Sequence, residues 1–392
     1  MARLLATTLL IALALPAAAH SSGAYLHDDR ADIDHSSWMA VLDGNTPLRN
    51  LSLVGTHDSL SFHGGDIVQT QSMSLANQLR AGVRAFDVRC RHINNVFAIH
   101  HGIVFQKTML GDVLNTMADF LRRNPSETLM VAVQEEHTPE GNSRSDEATF
   151  ADYKARYGSL IWEPSSQNPT LAETRGKLVI VQNFTAQRRY GLDGAGFRSQ
   201  GHWLLNNNWE LYGKWEKVRN HLVKANAEQG QAFHANGLSA STGVFPYFVA
   251  SGHSSPQTGA PRLLTGLTTP GWRHSYPDFP RVGCFWGICS IAFEGTNDLT
   301  LQYLHRVRPR YVGLLWADFP GNGLVDTVVQ LNYPRCSSWV AGGGARYGEV
   351  FQQSGRYYRA LLTGRYSSPL PATATSNQQW QYLGTAARCQ VF

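Results

Sequence analysis

Short apolar runs of β-forming residues alternate with longer stretches of helical period along most of this chain. The runs at 51–54, 85–88, 96–99, 128–134, 177–181 and 311–316 are rich in Val, Ile, Leu and Phe and predict strands. Between them, 74–81, 108–123 and 215–227 predict helices. In 108–123, Met109, Val113, Met117, Phe120 and Leu121 fall on one face, and Asn124-Pro125 ends the run. Strand-then-helix repetition predicts an α/β fold, a parallel sheet covered by helices. The period does not choose between a closed barrel and an open sheet. The polar residues favour the barrel: His57, Asp87, Arg89, His101, Glu136 and Asp318 each follow a strand, and groups from many strand ends converge at a barrel's C-terminal mouth.

The pattern changes after Pro334. Residues 336–392 hold a single acidic residue, Glu349, are rich in Gly, Ser, Tyr and Trp, and show no helical pattern longer than a turn. They predict a small all-β domain closed by a disulfide. The stretch 192–283 is irregular, with Trp203, Trp209, Trp215, three asparagines at 206–208 and a Gly/Ser/Pro-rich piece at 238–262. It predicts long loops around the helix at 215–227.

Residues 1–20 carry one arginine, an apolar run and then small residues, which is the pattern of a secretory leader. The expected division is therefore a leader at 1–20, a catalytic barrel at 21–334 and a β-domain at 335–392, in a secreted, monomeric protein. No later stretch reaches the roughly 18 apolar residues that a membrane span needs. The 34 basic and 29 acidic residues give a formal charge of +5, which suits an anionic membrane surface or a polyanion. The basic residues form no stripe, and no nucleic-acid module is present. Export permits disulfides, and the spacing suggests Cys284 with Cys289 and Cys336 with Cys389, leaving Cys90 over in an apolar run.

The densest chemical constellation is Gly55-Thr56-His57-Asp58-Ser59, then Asp87-Val88-Arg89, then His100-His101-Gly102. Two imidazoles facing each other across a substrate can divide the work, one removing a proton while the other donates one. Each needs a carboxylate to fix its tautomer, and Asp58, Asp87 and Asp318 are available. Arg89 adds a planar, permanently charged fork suited to two phosphoryl oxygens. These parts suit cleavage of a phosphodiester. The same histidines would also serve as metal ligands, but a fixed cation at Arg89 competes with a metal for that place.

The fragments LVGTHDSLSF, AGVRAFDVRCR, FAIHHG and NPSETLMVAVQEE, in that order, resemble the X domain of the phosphatidylinositol-specific phospholipase C family, in particular its bacterial branch. The resemblance covers roughly residues 45–330. It implies a distorted TIM-type barrel with no metal and no cofactor. His57 is implied as general base, His101 as general acid, and Arg89 as the occupant of the calcium position of metal-dependent relatives. Asp318, in Trp316-Ala317-Asp318-Phe319, is implied to orient His57, with Asp58 and Asp87 hydrogen-bonded around the catalytic rings. The implied reaction is attack by the inositol 2-hydroxyl on the phosphorus of phosphatidylinositol in membranes, giving diacylglycerol and inositol 1,2-cyclic phosphate. His100 is expected to be a structural neighbour.

The sequence departs from the family around the headgroup. Gln134 stands where bacterial members carry a lysine, Asn183 where they carry an arginine, and Asn208 near their inositol-gripping aspartate. Amides still bond hydroxyls, so with Glu136 they keep a polyol pocket that lacks those formal charges. In the tail, Trp339, Tyr347 and Val350, the run 355–360 and the run 380–384 are similar to small chitin- or cellulose-binding modules. That resemblance implies Trp339, Tyr357 and Trp380 as residues that stack on an insoluble polysaccharide or lie in a lipid interface; the other reading makes such aromatics the domain's core. Two rival functions remain: a metal-dependent glycerophosphodiester phosphodiesterase, and a glycan- or surface-binding protein with an inactive barrel.

Overall fold

The computed structural model describes residues 23–340, 342–346, 348–365, 370, 375–384 and 389–390. The leader expected at 1–20 and Tyr347 lie outside the described residues. In chain order the first strands are β1 (Leu53–Thr56), β2 (Ala85–Ile93), β3 (Val96–His101), β4 (Val104–Met109), β5 (Thr128–Glu135), β6 (Lys177–Asn183), β7 (Leu192–Asp193) and β8 (Arg198–Gln200). They are followed by β9 (Leu204–Leu205), β10 (His234–Gly237), β11 (Ser241–Thr242), β12 (Leu264–Thr268), β13 (Arg281–Phe285), β14 (Ile288–Ala292) and β15 (Leu314–Ala317). The helices are α1 (Leu75–Ala81), α2 (Leu110–Arg123), α3 (Asp146–Tyr157), α4 (Leu171–Thr174), α5 (Leu211–Ala227), α6 (Pro246–Ser251), α7 (Thr296–Val307) and α8 (Asn322–Gln330).

Eight strands lie in the order β7-β6-β5-β2-β1-β15-β10-β8, and the ladders between neighbours are parallel. β7 and β8 form the two edges of the sheet although they follow one another in the chain. The sheet is thus curled into a distorted barrel, open at that seam. The central strands are buried on both faces, which is why they appear in sequence as continuous apolar runs: Leu129–Val133 of β5 and Leu178–Val181 of β6 are buried throughout. Outside, α2 turns Val113, Leu114, Met117, Phe120 and Leu121 onto the sheet. At the start of β2, Arg84 is fully buried and donates to Glu127 at 2.8 Å and to the carbonyls of Leu79, Val83 and His35. Each of its three nitrogens has a partner, as a buried cation requires.

Two expectations need adjustment. The run at 96–99 is no barrel strand; β3 folds back antiparallel on β2, and β4 on β3. Its turn is Asn94-Asn95, both at positive φ, the geometry of a two-residue hairpin. The short strands β8 and β10 are barrel members that apolar periodicity does not reveal. Strand β10 reads His-Ala-Asn-Gly and β8 Arg-Ser-Gln, because both border a polar cavity.

The tail contributes β16 (Cys336–Ser338), β17 (Gly344–Ala345), β18 (Val350–Gln353), β19 (Arg356–Ala360), β20 (Gly364–Arg365) and β21 (Trp380–Gly384), with a sheet ordered β16-β18-β19-β21. It has its own core of Trp339, Phe351, Tyr358, Ala360, Leu370 and Trp380. The indoles of Trp339 and Trp380 pack edge to face, 4.9 Å apart. This corrects the expectation of a stacking surface at these two residues: both rings fill the interior of the small sheet's own core. Tyr357, on the opposite face of β19, stays partly exposed. Disulfides join Cys284 to Cys289 and Cys336 to Cys389, and Cys90 is free and buried.

Candidate active site

The turn after β1 is fixed by polar bonds rather than by packing. Ser59 Oγ donates to the Thr56 carbonyl at 2.8 Å and accepts from the Asp87 amide at 2.9 Å. The Asp58 amide donates to Asp87 Oδ2 at 3.0 Å. Asp58 adopts φ 43°, a left-handed conformation that aspartate tolerates better than most residues. The turn thereby presents His57 at the barrel mouth. Strand β2 supplies Asp87 and Arg89, two apart and so on one face. The β2–β3 hairpin returns the chain and sets His101 beside them, and β15 leads into Asp318.

His57 Nδ1 lies 2.8 Å from Asp318 Oδ1, and Arg89 Nη2 lies 2.7 Å from His57 Nε2. A guanidinium can only donate, so Nε2 accepts and the ring proton sits on Nδ1, donated to Asp318. Burial pulls the imidazole down, but the charge and hydrogen bond of Asp318 outweigh it and hold His57 above the usual histidine value. Asp318 is itself buried, and its carbonyl accepts from Asn297 at 2.8 Å.

Arg89 gathers three carboxylates: Asp87 at 3.2 Å, Asp58 at 3.6 Å and Glu136 at 3.7 Å. Burial opposes its charge, and these carboxylates more than restore it. Asp58 is fully buried. Desolvation, aided by Asp87 and Glu136, outweighs Arg89 and pushes its carboxyl up to about 7. His101 Nδ1 lies 3.1 Å from Asp58 Oδ2 and 3.0 Å from Ser61 Oγ. Ser61 donates its own proton to the Val68 carbonyl, so Nδ1 of His101 donates to Ser61. Burial, then the charges of Arg89 and His57, hold His101 below the usual value. His100 is turned away and packs against Phe105.

A cavity of about 610 Å³ opens over these groups. Its lining brings together His57, Asp87, Arg89, His101, Gln134, Glu136, Asn183 and Asp318, with Asp58 directly behind. Glu136 also accepts from the Gly102 amide at 2.7 Å, tying the His101 turn to the end of β5. Among the described residues, no three His, Cys, Asp or Glu side chains are grouped to hold a metal ion. Asn208 is the expected residue that the structure does not bring to the cavity. The asparagines at 206–208 instead build the start of α5: Asn206 bonds Glu210, and the Asn207 side chain accepts from the Trp209 amide. That wall is made by Ser199 and Gln200 of β8 and by Lys214 of α5. Sequence reasoning missed them because β8 has no apolar run and Lys214 lies within the buried stripe of a helix. The available signal was a lysine at apolar-face spacing from Leu211 and Val218.

Residues 45–184 match the family model "Phosphatidylinositol-specific phospholipase C, X domain". A 1-phosphatidylinositol phosphodiesterase of Staphylococcus aureus is 28% identical over 272 residues, covering 60% of this chain and 86% of that protein. The protein of the same name from Listeria monocytogenes is 33% identical over 175 residues, 40% of this chain and 53% of that one. The structure of a phosphatidylinositol-specific phospholipase C from Listeria monocytogenes superposes with TM-score 0.55 over 76% of this chain and 99% of that chain, at 21% identity, which is a likeness of fold. Residues 45–184 are thus similar in sequence to the X domain of phosphatidylinositol-specific phospholipase C, on a barrel of like fold.

Proposed function

We propose that this chain is a secreted phospholipase C that cleaves phosphatidylinositol to diacylglycerol and inositol 1,2-cyclic phosphate without a metal. The observation that carries the reading is the pair His57–Asp318 and His101–Asp58 flanking Arg89 in one cavity. In this mechanism the phosphate draws the Arg89 fork off His57 Nε2 and onto its non-bridging oxygens, where charge grows in the transition state. The freed Nε2 takes the proton of the inositol 2-hydroxyl, and that oxygen attacks phosphorus in line. The bond from phosphorus to the diacylglycerol oxygen breaks, and His101 protonates the leaving oxygen. Solvent then returns both rings to their starting states. His101 alone is a poorly populated acid near neutrality. When ionised, the Asp58 carboxyl, 3.1 Å from Nδ1, favours the doubly protonated ring that this step needs.

A lipid substrate has to be met at a surface, and the cavity rim is apolar. Ile103 follows the cavity-lining Gly102, Trp203 lines the mouth itself, and Phe245 precedes the cavity-lining Pro246; all three are exposed. The long connection from the C-terminal end of β10 back to β15 carries the hairpin β13–β14, stapled by Cys284–Cys289. Its tip exposes Phe285 and, at 90%, Trp286. These aromatics are the proposed membrane contact. The segment 335–392, with its own core and disulfide, is proposed as a separately folded accessory domain.

The deciding experiment is a headgroup panel run in excess chelator with phosphorus NMR of the products. Phosphatidylinositol should give the cyclic phosphate, while the choline and ethanolamine lipids, which lack a hydroxyl vicinal to the phosphate, should stay intact. Cleavage of the choline lipid at a comparable rate would exclude intramolecular attack. Loss of turnover in chelator, restored by calcium, would favour a metal-dependent phosphodiesterase instead.

A further inference from the structure

Lys214 is fully buried, yet it lines the cavity. Its Nζ donates to the carbonyls of His202 and Gly237, each at 2.6 Å. Gln200 Nε2 reaches the same Gly237 carbonyl at 2.9 Å, so the lysine and this amide stand side by side at the seam of β8 and β10. An ammonium has three donors, and these carbonyls account for two. No carboxylate among the described residues is in ion-pair contact with it; Asp318 acts on it only through its field. Lys214 also sits at the end of the first turn of α5, where the helix dipole disfavours a cation. A clamp between two main-chain carbonyls needs only a neutral amide, so a buried charge in this place is costly and unexplained by the fold.

We infer that Lys214 is a headgroup-binding residue, its third donor taking an oxygen of the polyol ring on the wall formed by β8, β10 and α5. The inference rests on the phospholipase reading for the identity of that ring. It gives the cavity a second basic group besides Arg89, reached from a helix rather than from a strand end; burial pulls its ammonium down to about 7, and a bound oxygen favours the charged form. Gln134 and Asn183, both neutral, then act as accessory amides, and Lys214 supplies the charge-assisted bond to the ring. The groups facing Lys214 are the two carbonyls, Gln200, the Asp318 carboxylate beyond them, and Lys217 further along α5.

The test is Lys214→Gln, which keeps a donor for the carbonyls and removes the charge, beside Lys214→Arg, which keeps both. Kinetics on phosphatidylinositol, calorimetric binding of free myo-inositol and thermal denaturation are measured on the full chain. K214Q should raise KM about tenfold to hundredfold, as expected for loss of one charge-assisted hydrogen bond to uniformly bound substrate, with kcat within about threefold. Myo-inositol affinity should fall in parallel, and K214R, which restores the charge, should recover part of each loss. A lowered thermal midpoint with KM and myo-inositol affinity unchanged would overturn the inference and leave Lys214 a structural clamp. A fall in kcat at constant KM would also overturn it, since the lysine would then act through Asp318. Wild-type chain that binds myo-inositol through Lys214 but cleaves no phosphatidylinositol would sink the phospholipase reading alone. Cleavage with no effect of K214Q on KM or on myo-inositol binding would sink the Lys214 inference alone.

Discussion

Replacing Arg89 by lysine keeps one positive charge in the cavity and removes the fork. In the structure the guanidinium spans His57 Nε2 at 2.7 Å and carboxylates at 3.2, 3.6 and 3.7 Å, a spread that one ammonium on a shorter stem cannot cover. The retained charge still offsets Asp87, Asp58 and Glu136, so Arg89→Lys should fold, with a lower thermal midpoint. The catalytic loss follows from the transition state. Two charge-assisted bonds to phosphoryl oxygens are each worth about 1.5–3 kcal/mol. Lysine can keep one of the two, so the loss is roughly 1.5–3 kcal/mol, a factor of about 10–10² in rate. Because charge on those oxygens grows during attack, most of the loss should appear in kcat rather than in KM. Initial rates on phosphatidylinositol vesicles in chelator, with circular dichroism as the control for folding, measure it. A folded Arg89→Lys variant within tenfold of wild-type kcat/KM would refute the assignment of the fork to the phosphoryl group.

His57→Ala and His101→Ala should each lower kcat by about 10²–10⁴-fold while leaving the fold intact, and His100→Ala should be milder because that ring packs on Phe105; equal damage at His100 and His101 would leave the acid unassigned. Asp318 holds the His57 imidazole above its ordinary value, and the base must be neutral to act, so wild-type kcat/KM should fall as pH drops through a value above 6.5. In Asp318→Asn that acid limb should move to lower pH, with a loss bounded by the roughly 10²–10⁴-fold worth of a general base; an unmoved limb would mean that another group sets it. The double variant Phe285→Ser, Trp286→Ser should weaken sedimentation with phosphatidylinositol vesicles at least about tenfold, each side chain being worth about 1.5–3 kcal/mol when fully buried. Turnover of a soluble inositol phosphodiester should be unchanged in that variant, and unaltered vesicle binding would remove this hairpin from the membrane contact.

The barrel's central strands, the α2 face and the residues ahead of the cavity were legible in sequence for one reason. Continuous apolar runs and helical period are local signals, and the turn residues that follow them inherit their place. His57, Asp87, Arg89 and Asp318 could be placed because each stands immediately after, or at the end of, such a run. The route taken by His101 was not legible: a hairpin through Asn94-Asn95, rather than a strand of the barrel, carries it there, and direction of pairing is a long-range property. The polar wall was hidden for a related cause. Strands β8 and β10 are short and border a polar cavity, so they lack the pattern that marks a strand, and Asn208 was placed by order in an irregular segment whose asparagines cap a helix. For the tail, composition identified aromatics but not their faces, and burial of Trp339 against Trp380 was decided by the folding of a small sheet onto itself. Lys214 is the sharpest case. In sequence it is a lysine on the wrong side of an amphipathic helix; only the curl of the sheet, which brings β8 and β10 against α5, turns that misplaced charge toward the cavity.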